Sequence, residues 1–174
     1  MNAIVYTSET GHTARYAALL AEQTGLPAYS LQEAEAKLNR GEPVFYLGWL
    51  MAGSTKGYQE AKKAFALQGV ACVGMARSPN GFLWSKADKS SRMVDGARIF
   101  YLQGGYDGTQ LHGLDRAMMK AFEKRAFRKL AEKPDRTPEE EDTLSILRDN
   151  GDRVCPENLR EILDWMRQEG VSQN

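Results

Sequence analysis

The side chains best placed for chemistry form a hydroxyl-rich loop near the N-terminus, at residues 7–13. Ser8, Thr10 and Thr13 supply hydroxyl donors, and Gly11 lets the backbone approach a ligand closely. A short apolar run precedes the loop and a helical pattern follows it, and the first amides of a helix attract anions because they lack partners. The loop therefore predicts a phosphate site, with an ordinary Ser/Thr helix cap as the alternative.

Two residues of this loop carry charge or can acquire it. Glu9 is unsuited to an anion site, and we expect it to offer only its amide while its carboxylate faces solvent. His12 either adds positive charge when protonated or is a solvated residue at the helix start. Because the loop has no Lys or Arg, hydroxyls and amides would hold a phosphate without a point charge.

A second loop has glycines spaced as in a nucleoside-triphosphate-binding loop, at residues 48–55. It places Ser54 where such a loop requires its phosphate-binding lysine, and bulky apolar residues fill the span that should wrap phosphates. The pattern excludes a nucleoside triphosphatase of this type.

The elements that must position these loops alternate along the chain. Apolar runs predict strands at 3–6, 27–31, 44–49, 70–75 and 97–102, and helical patterns lie between them. Continuous apolar strands with amphipathic helices indicate a parallel sheet covered on both faces, an α/β/α sandwich. Ligands of such sheets bind beyond the carboxyl ends of the strands, here at loops 7–13, 49–57, 76–85 and 103–113.

The C-terminal part departs from this alternation. Residues 114–122 have the spacing of an amphipathic helix, and 157–168 form the last predicted helix. Between them, a charged stretch at about 132–154 contains a capping box from Thr137 to Glu140, which predicts a short helix in an excursion. We expect one domain over residues 1–174, since about 100–200 residues is usual for a single domain.

Composition excludes several classes of protein. The 23 Lys and Arg balance 23 Asp and Glu, which argues against a nucleic-acid partner. No apolar run reaches the roughly 20 residues of a membrane span, and no signal peptide is visible, so we expect a cytoplasmic protein. Two Cys and two His, spread through the sequence, predict no metal site.

The N-terminal segment resembles the flavodoxins. Residues 4–13, Ile-Val-Tyr-Thr-Ser-Glu-Thr-Gly-His-Thr, are similar to that family's strand followed by [ST]-x-T-G-x-T, and the strand–helix alternation matches over about residues 1–131. The resemblance implies a five-stranded parallel sheet of order 2-1-3-4-5 with FMN as cofactor. It also implies that FMN phosphate is surrounded by Ser8, Glu9, Thr10, Gly11, His12 and Thr13.

Two further loops of that family flank the flavin ring. After the third strand, the resemblance assigns ring contact to Trp49, Leu50, Met51, Ala52 and Gly53, with Gly53 offering a backbone group to the flavin edge. A flat ring favours apolar or aromatic walls, but Trp49 could instead end its strand in the core.

The loop at 76–85 would form the other wall. It offers Arg77 and Ser78, together with Phe82 and Trp84. Either aromatic ring stacks on the flavin or packs beneath the loop.

Residues 104–107 and 114–120 are similar to flavodoxin-domain proteins related to the menaquinone-dependent protoporphyrinogen dehydrogenases. The chain differs from simple flavodoxins in two features. Those proteins are strongly acidic and suit basic partners, whereas this chain is neutral, which puts such partners in doubt. The charged excursion at 132–154 is additional to the simple family pattern.

Three functions follow as expectations. The first is an FMN-binding protein of electron transfer that exchanges electrons with a redox partner protein. The second is an FMN-dependent oxidoreductase that acts on a quinone or tetrapyrrole, which needs an open cavity over the ring. The third is a flavin-free binding or regulatory module. The expected chemistry belongs to the flavin, so no side chain is predicted to be catalytic.

Overall fold

The computed structural model describes residues 1–88 and 92–170. The strands are β1 (Ala3–Thr7), β2 (Ala28–Ser30), β3 (Pro43–Met51), β4 (Ser54–Thr55), β5 (Ala66–Gly74), β6 (Met93–Val94) and β7 (Ala97–Gln103). The helices are α1 (His12–Thr24), α2 (Leu31–Lys37), α3 (Tyr58–Ala64), α4 (Phe82–Lys86), α5 (Gly113–Ala131), α6 (Pro138–Asp149) and α7 (Arg160–Gln168). A 3₁₀ turn, Pro156–Leu159, leads into α7.

A mostly parallel sheet forms the centre of the fold. Over the described residues it has seven strands, with the path β2-β1-β3-β5-β7-β6 and with β4 paired to β3. Along this path the pairs β2–β1, β1–β3, β3–β5 and β5–β7 are parallel. The two-residue strands β4 and β6 are added in antiparallel orientation, β4 to β3 and β6 to β7. The predicted mixed α/β class is confirmed. The predicted count of five strands is wrong, because two-residue strands are too short to produce an apolar pattern.

Alternation along the strands divides the core between the two faces of the sheet. Ile4 of β1 faces one cluster and its neighbour Val5 faces the other, as the two-residue period of a strand requires. The first cluster lies under α1 and α7, and the second lies under α2, α3 and α4. Helices thus cover both faces.

The helix beside α1 is α7 and not α5. Ile162 and Met166 of α7 are each 1% exposed and belong to the first core cluster. The helix predicted at 114–122 is present and runs further, over Gly113–Ala131, but none of its described side chains belongs to either cluster that covers the sheet. It packs against α6, and the two helices form a helical hairpin at residues 113–149. This insertion begins earlier than the charged excursion predicted at about 132–154, because it includes all of α5.

Short backbone contacts join the two ends of this insertion. Gly105 and Asp152 form an antiparallel bridge, and the Arg153 amide donates to the Gly104 carbonyl at 2.9 Å. The predicted capping box at Thr137 and Glu140 is present and begins α6. The chain therefore leaves the sheet at the end of β7 and returns beside its point of departure. No described helix combines the length and the apolar composition needed to cross a membrane.

Candidate functional site

The loop between β1 and α1 presents free backbone amides at the carboxyl edge of the sheet. Gly11 is the N-cap of α1 with φ of +86°, and it has no side chain to cap the helix. The first turn carries no acidic residue. The first amides of α1 have no acceptor within the helix, so they remain available to an anion.

A buried hydroxyl lies in the same loop. Ser8 Oγ is shielded from solvent and has no hydrogen-bond partner among the described residues. Leaving such a group unpaired costs about 1–3 kcal/mol, which a bound acceptor would recover. Thr13, at the start of α1, is 1% exposed and contributes to the same wall. The arrangement is that of a site for a ligand with acceptor oxygens.

His12 is held between the loop and the end of the insertion. Its Nδ1 lies 2.9 Å from Thr10 Oγ1, and its Nε2 lies 3.9 Å from Asp152 Oδ1. Asp152 also forms an ion pair with Arg15. Burial lowers the His12 pKa below its ordinary value of 6.5, opposed by the Asp152 carboxylate and assisted by the Arg15 guanidinium. The ring is therefore less readily protonated than a solvated histidine.

The environment of His12 predicts a titration that depends on Asp152. NMR of the imidazole Cε1–H signal should give a midpoint below 6.5, and Asp152→Asn should lower it further because the carboxylate raises the pKa. Between the native pKa and 6.5 the unfolded chain binds more protons, so this histidine makes the free energy of unfolding rise as the pH rises across that interval and fall as the pH is lowered. A midpoint at or above 6.5 would contradict this description of the site.

The hairpin from β3 to β4 forms an apolar wall. Met51 pairs with Ser54, and the two residues between them, Ala52 and Gly53, have φ of +49° and +81°. Positive φ at both central residues is typical of tight hairpin turns. Ala52 is in a conformation that costs a non-glycine residue about 1–2 kcal/mol, so surrounding structure must hold this turn in place.

The hairpin is tied to the loop that follows β5. The Phe82 amide donates to the Gly53 carbonyl at 2.6 Å. This carbonyl, one of the two backbone groups of Gly53 that the resemblance would offer to a flavin edge, therefore already accepts a hydrogen bond.

These loops surround one cavity of about 420 Å³, within the usual range of small-molecule sites. The residues of the first loop that line it are Ser8, Glu9, Thr10, His12 and Thr13, while Gly11 lies outside the lining. The residues of the β3–β4 hairpin that line it are Trp49, Leu50, Met51, Ala52 and Gly53. The structure thus brings together two segments that the sequence identified separately.

Trp49 lies half-buried at the end of β3. It contributes to the cavity and also packs on a small apolar cluster that includes Tyr106 and Leu111. Lys56 places its ammonium group 5.6 Å from the centre of the Trp49 ring. Trp49 therefore lines the cavity and packs against this apolar cluster at the same time.

The remaining walls include residues that the sequence did not identify as site residues. They come from the end of β5 and the loop after it, from the segment between β7 and α5, and from the helical hairpin: Val73, Met75, Ala76, Asn80, Gly81, Gly105, Tyr106, Leu111, Met118, Met119, Phe122 and Thr143. Tyr106 donates from its hydroxyl to Glu123 of α5 at 3.1 Å, and burial raises its pKa to about 12. The apolar spacing at 114–122 carried a signal, because it predicts a helix with one apolar face, but it does not say what that face contacts.

Besides Gly11, three residues of the predicted site lie outside the cavity lining. Arg77 and Ser78 are exposed, and Trp84 packs edge-on against Tyr101 at 6.3 Å between ring centres. The alternative position of Trp84, beneath the loop, is the one observed. Phe82 is exposed and also does not line the cavity.

Comparison with known proteins adds no relative. No protein-family profile, curated protein or solved structure matches this chain.

Proposed function

We propose that this chain binds FMN in the cavity and serves in electron transfer through a flavodoxin-like fold. The proposal rests on one observation above all: a buried, unpartnered Ser8 hydroxyl lies in the loop before the uncapped start of α1, in the wall of a mainly apolar cavity. FMN has the matching asymmetry, a dianionic phosphate at one end and a flat ring at the other.

The residues present fit such a ligand. The amides of the first turn of α1, with the hydroxyls of Ser8 and Thr10, would receive the phosphate. The ring would lie between the β3–β4 hairpin and the apolar side chains of α5. When bound, FMN supplies the redox chemistry, and the chain's own residues hold it, exclude water and set its surroundings.

The polarity of the lining bears on how the flavin would behave. Glu9 is the one carboxylate that lines the cavity among the described residues, and no Lys or Arg does. An apolar wall without a cation disfavours additional negative charge on a bound ring. The bound flavin would therefore have a low reduction potential.

A second candidate is an FMN-dependent oxidoreductase that acts on a quinone or tetrapyrrole. The observation that favours it is the contribution of Met118 and Phe122, both partly exposed, to the cavity wall. Thioether and aromatic side chains adapt to flat apolar molecules. Rapid anaerobic reoxidation of the reduced flavoprotein by menadione, saturable in menadione, would favour this candidate over transfer to a protein.

Binding of FMN and of riboflavin to the purified chain tests the proposal directly. The two ligands share the ring and differ by the phosphate, so we expect FMN to bind about 100-fold tighter, as two charge-assisted hydrogen bonds would give. Fluorescence quenching in a titration reports both dissociation constants.

A double variant, Ser8→Ala with Thr10→Ala, should weaken FMN about tenfold or more and leave riboflavin unchanged. Ser54→Ala, which removes an exposed hydroxyl outside the cavity lining, is the matched control and should change neither. Equal affinities for the two ligands would overturn the phosphate assignment. No retained flavin would leave a flavin-free binding module.

A further inference from the structure

Helix α5 exposes large apolar side chains. Leu114, Met118 and Phe122 are 75%, 44% and 51% exposed. They are spaced four residues apart and therefore lie along one side of the first half of the helix. Contiguous exposed apolar surface of this kind marks interaction sites more often than scattered single residues do.

This apolar patch, defined by Leu114, Met118 and Phe122, is continuous with the cavity. Met118 and Phe122 line the cavity as well as being exposed. A molecule seated on the patch would therefore lie at the cavity mouth, directly beside whatever the cavity binds.

Charge distinguishes α5 from the rest of the chain. The whole sequence is neutral, yet the segment 113–131 contains six Lys and Arg against one Asp and one Glu. Among the described side chains, no ion pair involves Lys120, Lys124, Arg125 or Arg128. The helix thus presents a basic surface that the fold does not neutralise.

The positions of these cations decide what kind of partner fits. A helix that lies in a lipid surface keeps one side apolar along its length. Arg125 is eleven residues after Leu114, close to three helical turns, so the side that is apolar in the first half becomes basic in the second. An apolar centre bordered by cations is instead the anatomy of a protein–protein interface.

We propose that α5 is the docking surface for an acidic protein. Under the proposed function, on which this inference rests, that protein is the redox partner, brought to the cavity mouth by opposite charge and seated on the apolar patch. Simple flavodoxins are acidic and suit basic partners. The basic α5 of this chain would instead suit an acidic partner. Steering by complementary charge raises the rate of encounter and sets orientation.

The test uses NMR of the isotope-labelled chain, with and without FMN, so that docking is measured whether or not flavin binds. The probe is an acidic [2Fe–2S] ferredoxin, and basic cytochrome c is the probe of opposite charge. At about 20 mM ionic strength we expect ferredoxin to shift or broaden amide signals of residues 113–128 and the cavity mouth, and the effect should vanish near about 300 mM. Cytochrome c should leave α5 unperturbed.

Two variants separate charge from apolar contact. Reversal of two exposed cations beside the apolar patch, Arg125→Glu with Arg128→Glu, should weaken ferredoxin binding about tenfold or more, and Leu114→Ser should weaken it without changing its salt dependence. Reversal of Arg40 and Lys63, two exposed cations at the opposite edge of the sheet, is the matched control and should have no effect.

Several results would overturn the inference. They are the absence of α5 perturbation at low salt, perturbation centred elsewhere, and a preference for cytochrome c. Loss of α5 signals with phosphatidylglycerol vesicles, while ferredoxin is without effect, would assign the surface to lipid. Flavin binding without ferredoxin docking overturns this inference alone, whereas docking without flavin binding overturns the proposed function.

Discussion

Replacement of Ile162 with alanine is expected to lower the free energy of unfolding by about 3 kcal/mol, as truncation of a large buried aliphatic side chain usually does. Ile162 is 1% exposed and belongs to the cluster that joins α7 to the sheet. Its loss would leave a cavity between the helix and the sheet that the well-packed surroundings cannot fill. Urea unfolding followed by circular dichroism measures the change.

Leu114→Ala is the matched control, because it truncates a similar side chain on the other amphipathic helix. Leu114 is 75% exposed, so the free energy of unfolding should change by less than about 0.5 kcal/mol. If Leu114→Ala were the more damaging of the two, α5 and not α7 would be the helix that packs on the sheet.

Gly57→Ala should cost about 3 kcal/mol, from an unfavourable backbone conformation together with a steric clash. Gly57 has φ of +75°, and an added Cβ would lie 2.2 Å from the Tyr46 hydroxyl and 2.3 Å from Thr7 Oγ1. Those two hydroxyls hydrogen-bond each other at 2.8 Å. Because Thr7 is the last residue of β1, the clash would also disturb the loop that begins at Ser8.

Gly41→Ala separates the two causes. Gly41 has a similar φ of +79° but open space where the Cβ would be, so its replacement should cost only about 1 kcal/mol. The difference in unfolding midpoint between the variants measures the clash alone. Equal costs would mean that Tyr46 and Thr7 move aside freely.

The sequence was most informative where pattern and loop chemistry coincide. The apolar run at 3–6 followed by hydroxyls and Gly11 was sufficient to place a strand, a loop and a helix start, because local composition determines each of them. The strands β4 and β6 gave no such signal. Each has two residues and exists because a longer neighbour, β3 or β7, offers hydrogen bonds to it.

The helices show the limit of periodicity. Residues 114–122 and 159–166 have the same apolar spacing, and either pattern suits a helix beside α1. The spacing defines a face but not what covers it. The bridge between Gly105 and Asp152 brings the chain back to the end of β7 after the helical hairpin. As a result α7 packs beside α1, and α5 lies at the cavity mouth.

The sequence predicts which loops form the site better than it predicts which residues of those loops line it. Loops 7–13 and 49–53 meet at one cavity because parallel strands end at the same edge of a sheet. In the loop at 76–85, the one-turn helix α4 turns Leu83 into the core and Trp84 against Tyr101. Which side of a loop faces a ligand depends on such packing, and no local pattern in Arg77 and Ser78 reveals it.

The joined ends of the insertion have a consequence for how the chain folds. β7 and α7 pack together, with the rings of Phe100 and Trp165 5.3 Å apart, yet the whole helical hairpin separates them in sequence. The entropic cost of closing so long a loop grows only by about 0.6 kcal/mol per doubling of length, so stability suffers little. Contact order rises more, and folding rates fall as contact order increases. The hairpin therefore slows the search for the native topology while adding nothing to the two clusters that cover the sheet.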